Sequence, residues 1–156
     1  MKKVILFIFW CTLIITFPNK CFSQYEQRIQ ASYLIAFGRT ATSSELNYWL
    51  GRGNFTISQL MDFHKPSFTY YPNLHKASIT RSYLDALGRL PVENEMKYWL
   101  NRLDNYTELL NYHLQFLKAN NREKEELISL SYKTVFNREP QNAEKNFWKK
   151  QGHRFF

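Results

Sequence analysis

Residues 83–99 read YLDALGRLPVENEMKYW: an apolar run at helical spacing, a stop at Leu87-Gly88-Arg89, a proline turn, and a second run closing on Tyr98-Trp99. The key residues of this stretch occur three times. Tyr33, Arg39, Glu45 and Trp49 return fifty residues later as Tyr83, Arg89, Glu95 and Trp99, and forty-nine later again as Tyr132, Arg138, Glu144 and Trp148. Every spacing inside the set is kept, so the chain carries an internal repeat and not a compositional accident.

Each copy opens with a helical pattern. Ile29, Tyr33, Ala36 and Phe37 share one face, as do Ile79, Tyr83, Ala86 and Leu87, and then Ile128, Tyr132, Val135 and Phe136. The next residue is Gly38, Gly88 or Asn137, the two residue types that enter the left-handed conformation of a helix C-cap at least cost. A second helix follows, with Thr42 and Glu45 as a capping box in the first copy and Pro91 and Pro140 suited to the first helical turn in the others. A third helix is expected in the first two copies, opened by Thr56 with Gln59 and by Thr107. In the last copy Lys145 and Lys149 replace apolar residues of the second helix, as suits a terminal repeat with less to cover. No alternating run is long enough for a sheet. The fold class is therefore all-α: about three tandem helical repeats of roughly fifty residues (26–76, 77–123 and 124–156), packed as one domain with the last repeat truncated.

The pattern Tyr83, Leu87-Gly88-Arg89, Pro91, Tyr98-Trp99 resembles the bacterial repeat known as domain of unknown function 4214. The first copy lacks the proline, the third has Asn137 for glycine, and Glu45, Glu95 and Glu144 stand where that family usually has glycine. The resemblance implies a helical, often tandem module of exported or cell-surface proteins. It implies no established activity.

Residues 1–23 read as a signal peptide: Lys2 and Lys3, an apolar run from Val4 to Phe17, Pro18, then small residues placing cleavage between Ser23 and Gln24. That run of fourteen residues is shorter than the roughly 20 a bilayer needs, so no permanent membrane anchor is expected. Export to the periplasm or beyond follows. Both cysteines, Cys11 and Cys21, lie in this segment, so residues 24–156 must hold together without disulfides. Loss of Lys2, Lys3 and Lys20 lowers the formal net charge from +8 to +5. Such mild, dispersed basicity makes nucleic acid an unlikely partner.

No residue set reads as a catalytic centre. His64, His75, His113 and His153 lack metal-ligand spacing, and no cofactor or metal is implied. A group needed in every unit is more often structural than ligand-binding, so the tryptophans are assigned to the core, and Arg39, Arg89 and Arg138 to a turn clamp through helix C-terminal carbonyls or through Glu45, Glu95 and Glu144, with an anion-binding row along one face as the alternative. The connector 65–76 departs from the repeat. Its Phe68, Tyr70 and Tyr71, with His75 and Lys76, form the candidate contact surface for a sugar or a protein. Residues 120–126 read as a solvated connector. The expected function is an exported, non-catalytic repeat module that binds an envelope protein or surface polysaccharide. The alternative is a small cell-wall glycan hydrolase with paired carboxylates drawn from Glu93, Glu95, Glu123, Glu125 and Glu126.

Overall fold

The computed structural model describes residues 23–151. These residues are all-α with no strand. The helices are α1 (Gln24–Phe37), α2 (Ser43–Leu50), α3 (Ile57–His64), the single turn α4 (Ser67–Tyr70), α5 (Pro72–Leu87), α6 (Glu93–Leu100), α7 (Tyr106–Ala119), α8 (Asn121–Phe136) and α9 (Asn142–Gln151). None is long and apolar enough to cross a membrane. The leader read at residues 1–23 lies outside the described residues except for Ser23. That serine caps α1, its side chain accepting from the Glu26 amide, so cleavage after it would cost the helix a cap worth about 1 kcal/mol.

The helix ends follow local chemistry. Gly38, Gly88 and Asn137 adopt left-handed φ values of 69°, 66° and 52° after α1, α5 and α8. Gly38 is fixed twice over, because a Cβ there would lie 2.5 Å from the Tyr106 ring. Thr42 with Glu45 and Thr56 with Gln59 form capping boxes. Elsewhere the sequence expectation shifts. Pro91 and Pro140 precede the N-cap residues Val92 and Gln141 and so stand outside the first turn. Asn105, not Thr107, caps α7 with Glu108, leaving the Thr107 hydroxyl to donate to the Ile35 carbonyl of α1 at 3.1 Å. Residues 65–76 are largely helical, forming α4 and the start of α5 with Pro72 in its first turn. The polar stretch 120–126 is likewise the opening of α8. Asn120 accepts from the amides of Arg122 and Glu123, and an exposed helix face of this kind has the composition of a loop.

Two clusters make the core. Ile29, Tyr33, Phe37, Trp49, Leu60 and Phe68 form one, and Ile79, Tyr83, Leu87, Trp99, Leu109 and Leu117 the other. α3 seats on α1 and α7 on α5, while α7 also meets α1 and α8. α7 is thus the strut between the two clusters and the last helix pair, and Leu127 and Leu130 of α8 close over Gly88.

Candidate binding clefts

The spacing of the repeated residues becomes one set of contacts made three times. Trp49 Nε1 donates to Tyr33 Oη at 3.1 Å, Trp99 to Tyr83 at 3.0 Å and Trp148 to Tyr132 at 3.0 Å. Sixteen residues separate the partners in each case, so the bond ties the first helix of a copy to its second. Arg39 grips both oxygens of Glu45 at 2.8 and 2.7 Å; Arg89 holds Glu95 at 2.8 and 2.9 Å and Arg138 holds Glu144 at 2.8 and 2.6 Å. Each guanidinium also lies over its tyrosine ring, 5.0 to 5.4 Å from the centroid. The glutamate then accepts from the N-cap amide of the second helix: Thr42 and Val92 at 2.8 Å, Gln141 at 2.7 Å. Ring, guanidinium, carboxylate and helix start form one clamp.

The clamp sets the charge state. Hydrogen bonds from Arg39 and Arg138 hold the Glu45 and Glu144 carboxyls down at about 2, and Arg89 lowers Glu95 in the same direction. Burial, the larger cause, pushes the Tyr83 hydroxyl up to about 12. Three other carboxylates singled out by the sequence are engaged as well. Glu123 accepts from Arg89, Glu126 from Arg122, and Glu125 pairs with Lys149.

Beside the Trp–Tyr pair, each of the first two copies opens into a cleft. The first, about 680 Å³, is lined by Tyr33, Tyr48, Trp49, Phe63, His64 and Tyr71 among others. The second, about 310 Å³, is lined at matching positions by Tyr83, Tyr98, Trp99, Tyr112 and His113, with Phe116 at its edge. The tryptophans are the floor and are buried, whereas Tyr48, Tyr98, Tyr112 and Phe63 are half exposed as walls. Tyr48 and Tyr98 stand edge-on to their tryptophans at 5.3 and 5.0 Å. A flat apolar ligand with polar edges meets rings on two sides, with the carboxylate of Glu45 or Glu95 also in the lining.

His64, His75 and His113 are core residues. His64 bonds Ser32 Oγ at 3.0 Å, and His113 packs 4.1 Å from the Tyr83 ring with neither ring nitrogen hydrogen-bonded. Burial pulls both down to about 4, keeping them neutral. Among the described residues no group of three or more His, Cys, Asp or Glu is placed to hold a metal; His153 lies outside them.

The candidate surface of 65–76 divides. Phe68 and His75 are buried against each other with ring centroids 4.7 Å apart, and Phe68 also packs edge-on to Phe37 at 5.5 Å. Neither can meet a partner, because helix α4 turns that edge of the segment inward. Tyr70, Tyr71 and Lys76 are exposed, and Tyr71 reaches the rim of the first cleft. Two of the wall residues that the sequence reading does not single out, Tyr48 and Tyr98, carry one signal in the sequence. An aromatic stands before each repeated tryptophan, with Phe147 in the third copy. No family model, no curated protein and no solved structure matches this chain.

Proposed function

We propose that the chain is an exported, non-catalytic module of three related helical units, similar to the domain of unknown function 4214 repeat, whose two aromatic clefts hold a surface polysaccharide. The observation that carries this reading is the pair of matching clefts, each with a tryptophan floor and tyrosine walls at equivalent positions. A polymer presents the same unit again and again, which suits a site made twice, and sugar rings offer the apolar faces and hydroxyl edges such a cleft accommodates. The hydrolase alternative fits less well. A general acid needs a raised carboxyl pKa, whereas Glu95 and Glu125, two of the carboxylates it would draw on, are shifted down by Arg89 and Lys149.

The test is affinity electrophoresis through gels containing soluble peptidoglycan fragments or capsular polysaccharide. Tyr48→Ser combined with Tyr98→Ser should weaken retardation at least about ten-fold, since central aromatic contacts dominate binding. Both side chains are about half exposed, so stability should stay within about 1 kcal/mol. Unchanged retardation of a folded double variant would remove the clefts as the glycan site.

A further inference from the structure

Each Trp–Tyr pair is a seat, taken by α3 in the first unit and by α7 in the second, where His64 and His113 lie 5.7 and 5.2 Å from the two tryptophan rings. The clefts beside these two seats match in floor and walls but differ in room and in charge. Room differs at one matched position. Forty-nine residues separate Ser67 from Phe116, as they separate His64 from His113. Phe116 of the unbroken helix α7 lines the second cleft, of about 310 Å³. Ser67 lines the first, of about 680 Å³, and the chain turns there through α4 to bring Tyr71 and Leu74 into the lining.

Charge differs through one change between the repeats. Arg52 and Arg102 stand three residues after the two tryptophans, and Asn54 and Asp104 stand two residues further on. Arg102 Nε donates to Asp104 at 2.7 Å and its Nη1 to the Tyr98 hydroxyl at 3.3 Å, so this cation is matched. Asn54 brings no charge, and its amide oxygen accepts from Arg28. Arg52 lies over the Tyr48 ring, 4.2 Å from its centroid, and pairs with no carboxylate among the described residues. Stacking on a ring occupies the face of a guanidinium and leaves the N–H groups in its plane free to grip an anion. The remaining charges run the same way. Glu45, in the lining of the first cleft, is held through both oxygens by Arg39, whereas at the second Arg89 is shared between Glu95 and Glu123. The first cleft has a cation to spare and the second has none.

We propose that the two clefts read different sugars of one heteropolymer, an inference that rests on the clefts being the glycan site. The first takes a unit whose substituent carries a carboxylate, which meets Arg52 at the Tyr48 wall. The second takes a neutral unit, Phe116 leaving no room for the substituent. Arg52 and Phe116 are then the residues that set specificity, one by charge and the other by volume.

The probes are peptide-free peptidoglycan glycan strands, in which every second sugar carries a carboxylate on a lactyl substituent, and the same strands after methyl esterification of that carboxylate. Calorimetric titration of the protein should give at least about five-fold tighter binding of the free acid than of the ester, as one guanidinium–carboxylate contact supplies. The difference should shrink at high salt. Arg52→Gln, and separately Asn54→Asp, which imports the acid of the second unit, should bring the free acid down to the affinity of the ester and leave the ester as it was. Both side chains belong to exposed residues, so the melting temperature should hold. Equal affinity of the wild-type protein for the two strands would overturn the assignment while leaving the clefts a glycan site. A preference that survives both substitutions would do the same. Binding of neither strand would count against the glycan site itself, and the assignment would fall with it.

Discussion

Replacing Trp99 by alanine is expected to destabilise the protein by roughly 3 to 5 kcal/mol, the usual cost of removing a buried large aromatic side chain. The indole is 3% exposed, closes the second core cluster and donates to Tyr83 at 3.0 Å. Truncation leaves a cavity under the second cleft and a buried Tyr83 hydroxyl without its donor, and both effects add to the lost transfer free energy. Against a total stability of about 5 to 15 kcal/mol, that is enough to unfold a protein of ordinary robustness. Trp148→Ala should cost distinctly less, since its surroundings are only half buried and Phe136 beside it is already open. Urea melts of the two variants check both statements. Equal losses would mean that the third seat is as well covered as the second.

Acid should act on the same seats. His64 and His113 are each 2% exposed, and burial lowers both from 6.5 to about 4. A histidine whose folded pKa lies below its unfolded one is protonated first in the unfolded chain. Its contribution is thus fully present above about pH 6.5 and is lost as pH falls toward 4. Between pH 7 and 4.5 each should remove about 2 kcal/mol, roughly 4 to 5 kcal/mol together, with His75 shifted in the same direction. The carboxylates that face these rings, Glu45 and Glu95, are held low by Arg39 and Arg89, Glu45 at about 2. Urea unfolding at pH 7 and pH 4.5 measures the difference. His64→Gln with His113→Gln should remove most of the slope, and a wild-type protein with equal stability at both values would contradict the buried, neutral assignment.

The parts of the structure legible in the sequence are those fixed by local chemistry or by spacing. Gly38, Gly88 and Asn137 announce helix ends because only a few residue types tolerate the left-handed conformation they adopt. Tyr, Arg, Glu and Trp at constant intervals announce a contact set, and the arginine–glutamate clamp is what those charges at that spacing would make. What escaped depends on non-local packing. Phe68 and His75 look like a surface in a segment with two prolines, yet α1 supplies Phe37 as a wall and the segment turns helical against it. The polar opening of α8 has a loop's composition because its face is solvated. The clefts are the hardest case. Phe63 and Tyr112 stand half out as walls only through their seating beside Trp49 and Trp99, which no local pattern announces.

The most direct test of the account follows the three tryptophan indole N–H signals of residues 49, 99 and 148 by two-dimensional ¹H–¹⁵N NMR while soluble envelope polysaccharide is added. All three should exchange slowly with solvent in the free protein, as donors to Tyr33, Tyr83 and Tyr132. The Trp49 and Trp99 signals, which report the two cleft floors, should shift saturably, while Trp148 moves less. Signals that stay in place at saturating polysaccharide, or a response confined to Trp148, would contradict a module that binds glycan through its two matching clefts.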